Sequence, residues 1–305
     1  MSVLGGLVPV FALLALGCLA RRWGLVDAAA AAGLNRLVAN LALPALLLAK
    51  IGTSPLEANF SPALVAVTVG GTALAAAAAW AAGRLARLPG PALGVTTQAA
   101  MRGNIAYLSF PLILATYGDP GLRMAAVTAS LLIPAMNLLG ALALLLARPG
   151  HPGLARTSLR VLGNPLVAAA LAGLGLAALE WQPWPWLGAT MRTLGDFALP
   201  GALLALGSQL QASAPTGLWR RAAAAATVKL VLLPALGFWV LAALHRPPLE
   251  VAIGVLMLAA PTAIASYPVA VDLGGDAELA GACVLVSTLA CALTYAAWKL
   301  VLPAV

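Results

Sequence analysis

Arg102 stands about eleven residues into an apolar run at 91–117, within Met101-Arg102-Gly103-Asn104. At a rise of 1.5 Å per residue, roughly the middle of a membrane would be reached there. A charge at that depth is costly and is by default a functional hypothesis. Its planar guanidinium matches a carboxylate, and Asn104 brings an amide donor to the same ligand. The bland alternative is that Arg102 snorkels or pairs structurally. Ser109-Phe110-Pro111 follows in the same run, and Ser266-Tyr267-Pro268 repeats it in a run at 249–272. Proline removes a backbone donor and clashes with the preceding turn, yet suits the first turn of a helix. Each run is therefore expected to break before its proline and restart after it, unless the proline is a plain kink. Restarted half-helices would turn their positive N-terminal ends into a crossing near the midplane. Unpaired backbone is tolerated there only where it lines a cavity or ligand site. Asp196 and Lys229 are the other deep charges, and either is a coupling group or half of a buried ion pair. The chemistry on offer is anion recognition. HExxH, GxSxG and Gly-rich phosphate motifs are absent. His151 and His245 fall in loops, and Cys18, Cys283 and Cys291 sit in apolar runs without metal-ligand spacing. Neither an enzyme nor a metal site is expected.

The elements that must position these residues are membrane helices. Of 305 residues, 62% are hydrophobic and 9% charged, and the mean hydropathy is +0.99. Soluble domains are nearer half apolar and a quarter charged, so a soluble enzyme, a disordered chain and a nucleic-acid binder are excluded. The net charge of +8 comes from basic residues in short loops, which signal topology and contact anionic lipid. Ten apolar runs approach the roughly 20 residues a span needs: 2–20, 33–51, 62–82, 91–117, 122–147, 161–179, 188–210, 217–243, 249–272 and 277–302. The first is expected to be a retained helix, because Arg21 and Arg22 follow it instead of preceding it. Trp181 to Trp186 reads as an interfacial anchor, and Asn164 as a helix cap before Pro165. Nine Lys and Arg in the odd-to-even loops against five opposite predict both termini outside.

The two halves resemble each other. Residues 103–132 align without gaps to 260–289, pairing Ser109-Phe110-Pro111 with Ser266-Tyr267-Pro268 and Gly118-Asp119 with Gly275-Asp276. Arg36 and Ala42-Leu43-Pro44 likewise match Arg192 and Ala198-Leu199-Pro200. Five spans per half force the second half to enter from the opposite side, which is the inverted-repeat architecture of secondary transporters. Asp119 and Asp276 sit in the matching turns, where a turn or cap role is expected.

Leu34-Asn35-Arg36-Leu37-Val38-Ala39-Asn40-Leu41-Ala42-Leu43-Pro44 resembles the second-helix signature of the auxin efflux carrier family, which includes the plant PIN-formed exporters and many bacterial permeases. Asn104 with Pro111, Gly163-Asn164-Pro165, Leu194-Gly195-Asp196 and the Pro268 region resemble its later motifs, so nearly the whole chain is covered. Lacking a long central loop, the chain is similar to the compact bacterial members. The resemblance implies an all-α polytopic membrane protein of ten helices in two inverted five-helix repeats, 1–150 and 151–305, similar to the bile-acid/sodium symporter fold. It implies a scaffold of helices 1, 2, 6 and 7, a transport unit of helices 3–5 and 8–10, and crossed, Pro-broken helices 4 and 9. It further implies transport of small organic acid anions such as auxin, malate or malonate, with homodimers as in the PIN-formed members.

Asn104, Pro111 and Pro268 match the family's site positions, and Thr262 and Ser266 lie in the matching stretch of helix 9. Pro261 stands where the repeat would place an Asn, and the PIN-type exporters lack an arginine at the place of Arg102, which implies a more strongly anionic ligand. The expected binding set is Arg102, Asn104, Ser109, Pro111, Thr262, Ser266 and Pro268. Asp196 and Lys229 serve as coupling or structural charges. No cofactor is expected beyond an H+ or Na+ coupling ion, and the partners are a carboxylate substrate and membrane lipid. The expected location is the cell inner membrane. A cation/proton antiporter or sodium-coupled symporter on the same fold is the alternative.

Overall fold

The structure is a computed structural model that describes residues 3–147, 163–210 and 216–302. The loop carrying Arg148, His151, Arg156 and Arg160 lies outside them. The described chain is helical, apart from one isolated antiparallel bridge between Gly103 and Thr262. We number its main helices α1 (Val3–Arg22), α2 (Ala28–Gly52), α3 (Pro62–Leu85), α4 (Gly90–Met101), α5 (Phe110–Leu146), α6 (Pro165–Ala178), α7 (Pro185–Gln209), α8 (Trp219–Ala243), α9 (Pro248–Leu258), α10 (Ser266–Asp272) and α11 (Ala277–Val301). Five stretches among the described residues are long and apolar enough to cross a membrane: Ala28–Gly52, Pro62–Leu85, Ile105–Leu146, Trp219–Ala243 and Ala277–Val301.

Helix ends follow from local chemistry. Asp27 caps α2 by accepting from Ala30 N at 2.7 Å, so α2 begins before the apolar run that announces it. Asn164 caps α6 by accepting from Leu166 N at 2.9 Å, with Pro165 in the first turn. Inside α2 and α8 the helix widens to a π turn, Val38–Ala42 and Val228–Leu232, just before Pro44 and Pro234. A proline ring crowds the carbonyl four residues back and leaves it without a donor. In the wider turn Leu43 N and Leu233 N reach back to Val38 O and Val228 O, and Trp298 Nε1 donates to Leu230 O, the carbonyl four residues before Pro234, at 2.9 Å. Helix α5 is interrupted at Gly118, which stands at φ 64, ψ −160. Only glycine adopts that conformation cheaply, so the break expected over 118–121 is concentrated in one residue.

The chain forms two compact units. The first comprises Met1–Ser61, Ala106–Ser130 and Leu162–Leu210. Glycines there let backbones approach closely. A Cβ on Gly17 would stand 2.4 Å from Leu204 O, and one on Gly207 2.0 Å from Leu14 O, so α1 and α7 admit no side chain at their meeting. Cys18 donates to Gly207 O at 3.1 Å across the same interface. Small residues at interfaces are how helices associate where lipid supplies no hydrophobic drive. Trp184 and Trp186 stack at 6.0 Å and remain exposed.

The second unit comprises Pro62–Ile105, Leu131–Val161 and Gln211–Val305. Its core joins α4, α8, α11 and the end of α5 through Val95, Ala99, Leu144, Ala225, Leu279 and Cys283. At Gly94 a Cβ would come within 3.0 Å of the Leu144 Cα. This packing fixes α4, and with it the residues that follow Met101.

Candidate functional site

Helix α4 stops at Met101, and Arg102 turns to extended backbone at φ −87, ψ 105. Helix α9 stops at Leu258, and the chain becomes helical again at Ser266. The two non-helical stretches pair with each other. Asn104 N donates to Pro261 O at 2.7 Å and Ala263 N to Arg102 O at 3.1 Å, closing the bridge between Gly103 and Thr262. Thr262 locks it from the side: its hydroxyl donates to Ala99 O at 3.0 Å, and its N–H donates to Ser287 Oγ at 3.0 Å. Backbone groups released by two ending helices thus find partners inside the protein, as the interior of a membrane demands.

The first break falls earlier than the proline rule alone places it. Residues 102–104 are extended and Ile105–Ser109 form a π turn, while Pro111 sits second in α5. The physical reason is tertiary: residues 102–104 pair with 261–263 through the bridge, and the π turn lies between that bridge and Pro111. In the second run Pro268 is the third residue of α10.

Arg102 is only 7% exposed. Its Nη2 donates to Asn137 Oδ1 at 2.7 Å and its Nη1 to Ala265 O at 3.3 Å. With its amide oriented to satisfy both ends, Gln98 accepts from Arg102 Nη1 at 3.2 Å and donates to Ser266 O at 3.2 Å. These partners are all neutral. Among the described residues, ion pairs form at Lys50–Asp119, Arg123–Asp119 and Arg246–Glu250, and none involves Arg102 or Lys229. Asn104 Nδ2 and Ser266 Oγ are buried without a hydrogen-bond partner among the described residues, as are Thr97 Oγ1 and Thr288 Oγ1. A buried cation held only by dipoles, next to unpartnered donors, is a place where an anion gains more than it loses.

The other expected residues are placed differently. Ser109 and Pro111 belong to the first unit, where Ser109 is fully buried. In that unit Tyr107 donates to Asn35 Oδ1 at 2.8 Å. Pro268 is exposed and shapes the start of α10. Lys229 is 1% exposed, and its ammonium donates to Leu258 O. Asp196 is exposed on α7 and lines a cavity of about 170 Å³ with Lys50, Arg123 and Arg192. Asp276 caps α11, accepting from Leu279 N at 3.0 Å. Asp119 is instead clasped by Lys50 and Arg123. In the loop before α9, Arg246 makes two bonds to Glu250, at 2.9 and 2.8 Å, and that carboxylate raises the Arg246 pKa above its ordinary value. No group of three or more His, Cys, Asp or Glu among the described residues is placed to hold a metal.

Sequence reasoning missed Gln98 and Asn137. The signals were present. Gln98 lies one helical turn before Arg102 on the face that ends beside it, and Asn137 is a lone amide in a long apolar run, where polar residues mark sites or helix–helix bonds.

Comparison with known proteins follows the same line. The family described as "Membrane transport protein" matches residues 2–299. A protein of Rhizobium meliloti (strain 1021), named "Putative malonate transporter", is 30% identical over 308 aligned positions, covering 94% of this chain and 92% of that protein.

Proposed function

Since the chain belongs to the membrane transport protein family, we propose that it is a secondary transporter of small organic acid anions, dicarboxylates in particular, working by elevator-type alternating access. The observation that carries this reading is the buried guanidinium of Arg102, held by Asn137, Ala265 and Gln98 with no carboxylate partner among the described residues. An uncompensated buried charge costs several kcal/mol, and a substrate carboxylate would offset that cost whenever it is bound. Arg102 grips the carboxylate in this reading, with Asn104 Nδ2 and Ser266 Oγ as further donors, and Thr262 holding the bridge in register. The name of the relative from Rhizobium meliloti supports a dicarboxylate.

The wider architecture of this proposal has ten spans in two inverted five-helix repeats, 1–150 and 151–305. Helices 4 and 9 are broken around their prolines, helices 1, 2, 6 and 7 form the scaffold, and helices 3–5 and 8–10 carry the substrate. The protein lies in the inner membrane with both termini outside, forms homodimers, and couples to H+ or Na+ if to any ion. A cation/proton antiporter would need Asp196 as its buried titrating group. The exposure of Asp196 beside Lys50, Arg123 and Arg192 favours that reading less.

Counterflow in proteoliposomes preloaded with unlabelled malonate, malate, succinate or indole-acetate tests the proposal. Exchange of at least one, abolished in a folded Arg102→Ala protein, is the expected result. Unchanged uptake kinetics in that variant would sink the assignment.

A further inference from the structure

Lys229 is a second buried cation in the same unit, and the anion site as proposed does not use it. It stands on the π turn Val228–Leu232 of α8, and its ammonium donates to Leu258 O, the last residue of α9. A Cβ built on Gly103 would lie 3.1 Å from both Nζ and Cε of Lys229. Gly103 is the second residue beyond α4. The ammonium therefore sits where α4 and α9, of 12 and 11 residues, both come to an end.

A helix C-terminus carries the equivalent of about half a negative charge. Two such ends meeting away from water present roughly one, and a single cation answers them. The geometry also separates this place from the anion site. Along an extended stretch, successive side chains point to opposite faces. The missing side chain of Gly103 is directed at Lys229, so Arg102 and Asn104 project from the other face of the bridge. The π turn matters here as well, because it sets the point on α8 from which the lysine departs. No carboxylate among the described residues pairs with Lys229. The ammonium is held by helix-end carbonyl dipoles, which are the ligands a hard monovalent cation would take.

We propose that the back of the bridge is a cation site and that Lys229 is its permanent, tethered occupant, standing in for a diffusible sodium ion. Anion exchange by this protein then needs no sodium, and removal of the ammonium opens a site that sodium or lithium can fill. The inference rests on the anion-carrier reading only for its transport readout, since its stability readout needs no substrate.

The test uses the full-length protein in detergent and in proteoliposomes. Thermal unfolding is followed at equal ionic strength in sodium, lithium, potassium and choline chloride. The wild type is expected to unfold at the same temperature in all four. Lys229→Met is expected to unfold earlier in choline and to regain roughly 5 °C, saturably, in sodium or lithium, as linkage to a newly opened site requires. Counterflow of labelled malonate should run equally in choline and sodium for the wild type. In Lys229→Met it should fall about tenfold in choline and recover in part with sodium, a free-energy change on the scale of one hydrogen bond to a buried charge. Sodium-dependent exchange or sodium-specific stabilisation of the wild type overturns the proposal, and so does a folded Lys229→Met or Lys229→Gln without any cation-specific shift. Should neither variant fold, the wild-type measurements decide alone. A wild type that exchanges no carboxylate, beside a Lys229→Met that sodium stabilises, counts against the anion carrier and for the tethered cation.

Discussion

Two clusters of cations in this protein have opposite surroundings. In the first unit Lys50 and Arg123 both clasp Asp119, with side chains 26%, 33% and 41% exposed. Arg123 adds a bond to Thr53 O at 3.4 Å, and the cavity beside it also holds Arg192 and Asp196. The cations there have carboxylates beside them, and the pairs are wet. In the second unit Arg102 and Lys229 are buried, and their partners among the described residues are neutral dipoles. Exposed pairs contribute about 0–1 kcal/mol, so the first cluster neither costs nor gains much. Buried cations without counter-charge are expensive, and inside a membrane they persist where function needs them. The contrast teaches that a count of charges does not locate a site. What locates it is a charge without a compensating carboxylate among the described residues.

The largest effect that would break this comparison is at its centre. Arg102→Ala should lower carboxylate exchange by at least about a hundredfold, the scale of a charge-assisted hydrogen bond in a dry site. Arg123→Ala, equal in charge removed, should change exchange by less than about twofold. Initial counterflow rates for both variants at matched protein density give the ratio. Comparable falls in the two would erase the distinction between the clusters. Next in size, Asn104→Ala should raise the half-saturating carboxylate concentration about tenfold and leave the unfolding temperature nearly unchanged. The Asn104 side-chain donor has no partner among the described residues to lose. A fall in stability without a change in affinity would make Asn104 structural.

Much of the fold was legible because apolar runs and caps are local facts. Five long apolar helices stand where apolar runs were read, and Asn164 caps where its type suggests, while the Asp27 cap was not singled out from the sequence. What escaped the sequence depends on partners far along the chain. The break after Met101 is paired with a bridge some 160 residues away, so the proline ten residues beyond Met101 marks its far end only. The matched turns Gly118-Asp119 and Gly275-Asp276 read alike, yet Asp276 caps α11 while Asp119 is drawn to Lys50 and Arg123. Lys229 and Arg102 are both deep cations in sequence. That they flank opposite faces of one bridge follows only from the missing side chain of Gly103.

Gly103 gives a prediction of intermediate size. Its Cβ would press on Ala260 Cβ at 3.0 Å and on the Lys229 side chain at 3.1 Å. Gly103→Ala should therefore cost about 1–3 kcal/mol of stability, the usual scale of overpacking. Gly103→Ala combined with Lys229→Ala should recover part of that loss, because the flexible member of the crowded pair has been removed. A double-mutant cycle on thermal unfolding measures the coupling. Strict additivity would show that the two residues do not touch, and the placement of Lys229 behind the bridge would fail with it.

The smallest effect is expected at the paired cluster. Asp119→Asn removes the carboxylate that Lys50 and Arg123 share, but all three side chains keep access to solvent. The two cations then repel each other in a high-dielectric setting, where two unit charges 4 Å apart interact by about 1 kcal/mol. Stability should fall by no more than that, and the loss should shrink as salt is raised from about 0.05 to 0.5 M, since the screening length shortens to about 4 Å, comparable to the spacing of the charges. Exchange should stay within about twofold of the wild type. Thermal unfolding across the salt series checks the first part, and counterflow the second. A large, salt-insensitive loss of stability would mean that Asp119 is as dry as Arg102, and a wet carboxylate partner would no longer distinguish the two regions.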